Sequence, residues 1–193
     1  MALNTLPAPA DGFRLAPVEP RHAPLFCFAL LTVSCALASF ALACATPFAA
    51  FTVVAAAMLP LRPALFTVTG TWLVNQAIGF GAHHYPIDAN TVLWGFAIGA
   101  GALAATAASV AALRTLPQNR TPLVLALSLV CAYGAYEFAL FTVTPFLGGA
   151  GAFTAAIIAR LGFLNAAWLI ALVAACESIR LLNPFRRGRA VST

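Results

Sequence analysis

Five apolar runs of about membrane-spanning length most constrain how this chain can fold. They cover approximately residues 24–45, 63–82, 92–113, 122–145 and 161–182. A helix needs roughly 20 residues, at about 1.5 Å each, to cross about 30 Å of hydrocarbon. With 62% hydrophobic and 8% charged residues, the 193-residue chain has no block polar enough for a separate soluble domain. We therefore predict an all-α integral membrane protein with one membrane domain.

A sixth apolar segment, residues 47–60, is shorter and is bounded by prolines. Its sequence is Pro-Phe-Ala-Ala-Phe-Thr-Val-Val-Ala-Ala-Ala-Met-Leu-Pro. Prolines suit helix ends, but a segment of this length at about 1.5 Å per residue reaches only roughly 21 Å. We expect it to form either a short second span or a re-entrant piece.

The arginines distinguish these two topologies, because basic residues near span ends are retained on the cytoplasmic side. If residues 47–60 do not cross, the better orientation leaves Arg14, Arg21 and Arg160 outside. With six spans and a cytoplasmic N-terminus, only Arg160 is outside. The arginines inside are then Arg14, Arg21, Arg62, Arg114, Arg120, Arg180, Arg186, Arg187 and Arg189. We therefore predict six transmembrane helices, a short second helix and cytoplasmic termini.

This topology divides the chain into a membrane domain and two tails. Residues 1–22 lack the basic start and short apolar core of a cleavable signal, so we expect a disordered cytoplasmic tail. Residues 23–183 are predicted to form the six-helix membrane domain, and residues 184–193 a basic cytoplasmic tail. A basic inner face explains the net charge of +5, so the expected partner is the lipid bilayer and not nucleic acid.

Residues 75–90, Asn-Gln-Ala-Ile-Gly-Phe-Gly-Ala-His-His-Tyr-Pro-Ile-Asp-Ala-Asn, gather polar side chains in a chain otherwise nearly devoid of them. In the six-span topology they lie at the extracytoplasmic end of the third span and in the following loop. If the third helix continues to about residue 84, Gln76 and His83 share a face. Amides in a bilayer need partners, so Asn75 and Gln76 either bond another helix or reach a ligand. As the alternative to a site, His83 and Tyr85 are ordinary membrane-interface residues.

Further polar side chains are expected near the same end of the bundle. Glu137 lies near the middle of the fifth span, with Tyr133 one turn before it, and an ionisable group at that depth suggests function. Alternatively, Glu137 is protonated and forms a hydrogen bond to a neighbouring helix. Arg160 opens the sixth span, where snorkelling to the headgroups competes with ligand binding. The predicted substrate-binding residues are Asn75, Gln76, Phe80, His83, His84, Tyr85, Asp88, Trp94, Tyr133, Glu137 and Arg160.

The two adjacent histidines are the predicted metal ligands. A neutral imidazole suits borderline transition metals, including the metal of a tetrapyrrole. Neighbouring residues cannot share one helix face, so we expect either His83 or His84 to coordinate. No histidine lies mid-membrane, which argues against paired haem ligands, and we expect no prosthetic group. The absence of a phosphate-binding loop, a Gly-x-Ser-x-Gly elbow and a His-Glu-x-x-His pair argues against an ATP-driven pump and against an enzyme.

The short spans, inward termini, alanine-rich first span and polar loop after the third span resemble the substrate-binding (S) components of energy-coupling-factor vitamin transporters. Within that group, Asn75-Gln76 to Tyr85-Pro86 is most similar to the BtuM-like solitary cobalamin-uptake proteins of Gram-negative bacteria. The resemblance implies an inner-membrane protein that captures a corrinoid outside, with a residue near the outer end of helix 3 coordinating cobalt. That ligand is typically cysteine in the family. Here the segment offers only His83 or His84 in its place.

Three functional hypotheses follow. The first is uptake of a vitamin-like or metal-containing solute, most specifically cobalamin as transported ligand, alone or with a membrane or ATPase transport partner. The second is a small accessory subunit that packs against a larger membrane complex through faces of small residues. The third is a proton-coupled permease that uses Glu137.

Overall fold

The computed structural model describes residues 15–42, 45–116 and 121–182, and these residues form helices and loops without a strand. The helices are α1 (Ala23–Leu42), α2 (Phe48–Met58), α3 (Leu61–Gly81), α4 (Ala89–Thr115), α5 (Thr121–Phe141), the four-residue α6 (Thr144–Leu147) and α7 (Ala155–Leu182). The predicted all-α class is confirmed. Four helical segments are long and apolar enough to cross a bilayer, namely Pro20–Leu42, Ala89–Thr115, Thr121–Leu147 and Ala155–Leu182. The chain is therefore a multi-pass membrane protein.

Helix α3 corresponds to the predicted third span but does not belong to those four segments. Its 21 residues are enough to cross hydrocarbon. However, it carries Arg62, several threonines, Asn75 and Gln76, so it is less apolar than α1, α4, α5 and α7. Side chains or carbonyls of α3 form hydrogen bonds to α1, to α4 and to the segment before α2.

Helix α2 occupies the centre of the bundle. It has eleven residues, all of them buried, and it contacts α1, α3, α4, α5 and α7. At about 1.5 Å per residue the helix is only roughly 16 Å long. A helix that is apolar all round is expected to be enclosed by protein, and Phe48 and Phe51 extend this packing to the rings of Tyr136 and Trp168. The predicted short second helix is thus a buried core helix.

The two ends of the bundle differ in charge. The backbone N–H of Leu15 donates to Ala57 O at 3.1 Å, so the chain before α1 meets the end of α2, where α3 also begins. Arg21 lies just before α1, and Arg62 lies at the start of α3. Arg114 and Arg180 lie near the ends of α4 and α7. We call this the arginine end. The opposite end, formed by residues 82–88 and 142–154, is the loop end.

The predicted tails fall partly outside the described residues. Residues 1–14 and 183–193 lie outside them. Residues 15–22, which were assigned to the N-terminal tail, include the buried Leu15 and a short 3₁₀ turn, Pro20–His22, before α1. The chain therefore packs against the bundle eight residues before α1 begins.

Local capping explains two helix starts. Helix α4 begins at Ala89 because the Asp88 side chain accepts from the backbone N–H of Thr91 at 2.9 Å. Helix α7 begins at Ala155, before the apolar run that starts near residue 161. Thr154 precedes it in an extended conformation, and its Oγ1 accepts from the backbone N–H of Ile157 at 3.4 Å. The connection between α5 and α7 is accordingly shorter than expected.

Candidate functional site

A cavity of about 320 Å³ lies between the N-terminal side of α2 and the loop end. We call it the α2 cavity. Its walls come from α4, α5, α7 and the connection before α7, and its base lies next to the start of α2. The described lining residues are Ala45, Thr46, Trp94, Ile98, Tyr136, Glu137, Leu140, Gly149, Ala152, Phe153, Ile157, Leu161 and Asn165.

The connection before α7 closes over part of this cavity because two glycines turn the chain. Gly148 and Gly149 have φ angles of 77° and 84°, which L side chains rarely adopt. A Cβ atom at Gly149 would lie 3.3 Å from Cζ2 of Trp94, so the glycine also lets the indole approach. Phe153 then packs edge-on against Phe141 with ring centroids 5.4 Å apart. The result is an aromatic wall facing the cavity.

Asn165 joins the base of the cavity to α2. Its Oδ1 accepts from the backbone N–H of Ala50 at 3.0 Å, and its Nδ2 donates to Leu161 O at 2.9 Å. The side chain is buried, with 5% of the residue exposed. The first N–H groups of a helix have no partner within the helix. The N-cap residue of α2, Pro47, provides no side-chain acceptor for them. Asn165 therefore supplies from α7 the cap that the local sequence lacks.

Glu137 lines the α2 cavity and is half-buried. Tyr133, one turn earlier, donates its hydroxyl hydrogen to Ile158 O at 2.7 Å and ties α5 to α7. Tyr133 is not a lining residue of the cavity, but its side chain also interacts with that of Glu137, so the two share a face of α5 as predicted. Among the described lining residues, Glu137 is the single carboxyl group and there is no arginine, lysine or histidine.

A smaller pocket, of about 90 Å³, adjoins the α2 cavity through Trp94 and Ile98, which line both. We call it the α3 pocket. It brings together Asn75, Gln76, Phe80, Tyr85 and Trp94, all of which were predicted as site residues. Its full described lining is Asn75, Gln76, Gly79, Phe80, Tyr85, Thr91, Trp94, Gly95 and Ile98.

The two amides of the α3 pocket are held by neighbouring side chains. Asn75 Nδ2 lies 2.9 Å from Ser39 Oγ and 3.0 Å from Thr46 Oγ1, and Asn75 Oδ1 accepts from Gln76 Nε2 at 3.1 Å. Asn75 therefore joins α3 to α1 and to the segment before α2. The contacts of Asn75 favour the interhelical role over ligand binding, while the Gln76 carbonyl oxygen is directed at Gly95 of α4.

His83 is a packing residue at the loop end. Its Nε2 lies 3.0 Å from Ser39 O, and because a carbonyl only accepts, Nε2 carries the hydrogen. Its ring stacks on Tyr85, with centroids 5.8 Å apart, and contacts Phe40. His83 is absent from the lining of both cavities. Any metal would have to approach Nδ1.

The condition for a shared face of Gln76 and His83, a third helix that continues to about residue 84, is not met. Helix α3 ends at Gly81, the N–H of His83 returns to Ile78 O, and His84 has a φ of 54°. This left-handed residue turns the chain away from the helix axis. Gln76 and His83 therefore do not share a helix face, and His84 is exposed.

Asp88 and Arg160 also lie outside both cavities. Asp88 is exposed and caps α4, and its hydrogen bonds from the backbone N–H and the hydroxyl of Thr91 lower its pKa. Arg160 is an exposed residue in the second turn of α7. Sequence reasoning had included both and missed Thr46, Tyr136 and Asn165. Only Asn165 carried a signal, as an amide within an apolar run.

Within residues 15–42, 45–116 and 121–182, no three His, Cys, Asp or Glu side chains gather as a metal site. A single histidine suits an axial ligand of a metal that is already chelated, and not a free ion. No family model, curated protein or solved structure matches this chain. The functional conclusion therefore depends on the two cavities and their chemistry.

Proposed function

We propose that this chain is an inner-membrane uptake protein that binds a small vitamin-like solute in the α2 cavity from the extracytoplasmic side. The observation that carries the proposal is the cavity itself. It combines aromatic and aliphatic walls with a few polar groups, Glu137, Thr46 and Asn165. Solute sites in proteins are typically concave, mostly apolar and oriented by a small number of polar groups.

The charge difference between the two ends supports the sidedness. Four of the five described arginines, Arg21, Arg62, Arg114 and Arg180, lie at the arginine end, whereas Arg160 lies near the loop end. The α2 cavity lies toward the loop end. Retention of basic residues in the cytoplasm orients the loop end outward. Six spans with cytoplasmic termini are part of this proposal, with α2 and the residues before it returning the chain to the arginine end.

Cobalamin is the specific solute to test, because the resemblance to BtuM-like proteins implies it. At about 320 Å³ the α2 cavity is near the lower limit of small-molecule pockets, which hold roughly 300–1,000 Å³. A corrinoid is much larger than such a pocket, so its entry requires movement of residues 142–154. Cobalt ligation by His83 Nδ1 or by His84 would also require one of these side chains to reach the cavity, because neither lines it. A smaller solute fits without that movement.

The test is solute binding by the full-length protein in lipid nanodiscs. Cobalamin is titrated with detection by corrin absorption, and smaller water-soluble vitamins are titrated by calorimetry. We expect Ala152→Trp, which fills the α2 cavity, to abolish binding and Ala104→Trp, at an exposed position of α4, to preserve it. An absorption shift that disappears when both histidines are replaced by alanine would identify cobalt ligation. Binding unaffected by Ala152→Trp would overturn the proposal.

An accessory-subunit role is the second candidate, and one groove favours it. Between α3 and α4 lies an almost wholly apolar groove of about 400 Å³, lined by Val68, Thr69, Trp72, Phe96, Gly99, Ala100 and Leu103. Small residues let helices approach closely in membranes. Stoichiometric co-purification with a larger membrane complex in mild detergent, together with no solute binding, would select this role.

The proton-coupled alternative uses the same cavity, since Glu137 lines it. If Glu137 carries the coupling proton, Glu137→Gln abolishes concentrative uptake. Uptake into vesicles that is unchanged in Glu137→Gln would eliminate this version, while leaving solute binding in place.

A further inference from the structure

The walls of the α2 cavity limit the charge of the solute. Trp94, Tyr136 and Phe153 present aromatic rings, and most of the other described lining residues are aliphatic or small. Glu137 is the one carboxyl group, and the described lining contains no cationic side chain to neutralise an acidic solute. A partly buried carboxylate and several aromatic rings both favour a positive charge.

The start of α2 also affects which solute charge the cavity favours, because helix N-termini attract anions through their free N–H groups. Two of the first three N–H groups of α2 are engaged by the protein. Ala50 N–H is bound by Asn165, and Phe48 N–H donates to Thr46 O at 2.8 Å. Phe51 N–H donates to Pro47 O at 3.3 Å. Asn165 therefore occupies one of the donors that an anionic solute could otherwise use.

We infer that the solute of the α2 cavity is an organic cation, whose ammonium or other cationic nitrogen pairs with Glu137 while its body contacts Trp94 and Phe153. This inference rests on the proposed function and specifies its substrate class. A hydrogen bond to a charged group is worth more than one between neutral groups, and cation–π contact adds to it in a water-poor cavity. A neutral or anionic analogue of the same shape lacks both contributions.

The experiment compares three probes that share a phenyl ring and a short chain. Phenethylamine carries an ammonium, phenethyl alcohol is neutral and hydrocinnamate carries a carboxylate. Each is titrated by calorimetry into the full-length protein in nanodiscs at neutral pH. We expect phenethylamine to bind about tenfold tighter than either analogue, which is the lower range for a charged hydrogen bond. Glu137→Gln, close in shape to the parent, should remove this preference, and Glu177→Gln should retain it.

Glu177 is a suitable control because it lies far along the same bundle, near the arginine end, where it pairs with Arg180 at 2.5 Å. Glu137→Asp provides a second variant that keeps the charge, and size-exclusion profiles verify folding. Equal binding of the three probes, sensitive to Ala152→Trp, would overturn the cation inference and leave the solute cavity intact. Tighter binding of hydrocinnamate would overturn it in the same way. Failure of every probe and every vitamin to bind would overturn both.

Discussion

The Oδ1 atom of Asn165 in α7 accepts a hydrogen bond from the backbone N–H of Ala50 in α2, at 3.0 Å. Asn165 is ten residues from the start of α7, and therefore roughly 15 Å along that helix. Helix α2 thus begins inside the bundle and not at its surface. Loss of this cap would leave the N–H of Ala50 without its acceptor.

Replacing Asn165 by leucine tests this cap. The substitution preserves size but leaves the Ala50 N–H without its acceptor, at a cost of about 1–3 kcal/mol. We expect a lower midpoint of thermal unfolding in detergent. Asn90→Leu, at an exposed position in the first turn of α4, is the matched control and should change the midpoint little. An equal midpoint for Asn165→Leu and the parent would show that the bond contributes nothing.

The contacts of Asn75 predict coupling between α3 and α1. Asn75 Nδ2 donates to Ser39 Oγ at 2.9 Å, and hydrogen bonds between membrane helices average about 0.6 kcal/mol with a maximum of roughly 1.7. A double-mutant cycle with Asn75→Ala and Ser39→Ala should give a coupling free energy in this range. The measurement is unfolding in mixed micelles. Strictly additive effects would mean that the two side chains do not interact.

Much of this architecture is predictable from sequence because hydrophobic runs of sufficient length form helices in a bilayer, whatever they pack against. The all-α class and the short second helix follow from this rule. The enclosure of α2 on all sides and its cap by Asn165 do not, because the partner residues are 115 positions apart. Nor does local sequence reveal that the Tyr133 hydroxyl donates to Ile158 O of α7.

The end of α3 shows a second limit. Helix α3 ends at Gly81, and three residues later His84 adopts a φ of 54°, a left-handed conformation that non-glycine residues adopt at a cost of about 1–2 kcal/mol. Histidine is among the non-glycine residues enriched in this conformation, but the residue type alone does not predict it. Packing of the His83 ring on Tyr85 and its bond to Ser39 O hold the turn.

This turn predicts opposite effects for the two histidines. His84→Gly should raise stability by up to about 1 kcal/mol, because glycine adopts a positive φ without the Cβ contact. His83→Ala should lower stability, because it removes the bond to Ser39 O and the contact with Tyr85. Thermal unfolding of the two variants checks this. Destabilisation by His84→Gly would mean that its side chain, and not its backbone, matters for the fold.

Asp88 gives α4 a stability that depends on pH. Its pKa is lowered in the folded protein by hydrogen bonds from Thr91, so its contribution is present above the unfolded pKa and is lost as pH falls through the folded pKa. Asp88→Ala should therefore be destabilising at neutral pH and progressively less so in acid. Asp88→Asn retains a neutral acceptor and should show no such dependence. A constant difference between parent and Asp88→Ala across the acid range would contradict this cap.

Two glycines predict opposite responses to the addition of one methyl group. At Gly99 of α4, a Cβ atom would lie 2.8 Å from Cε2 of Trp72, whose Nε1 is fixed by a bond to Gly95 O at 2.9 Å. Gly99→Ala should therefore overpack this contact and cost about 1–3 kcal/mol.

At Gly134 of α5, nothing lies within 4 Å of the added atom. Gly134→Ala should stabilise the helix by up to about 1 kcal/mol, because alanine has the higher helix propensity. Thermal unfolding of both variants, followed by intrinsic tryptophan fluorescence, measures the difference. Equal shifts of the unfolding midpoint would show that α3 and α4 do not meet closely at Gly99.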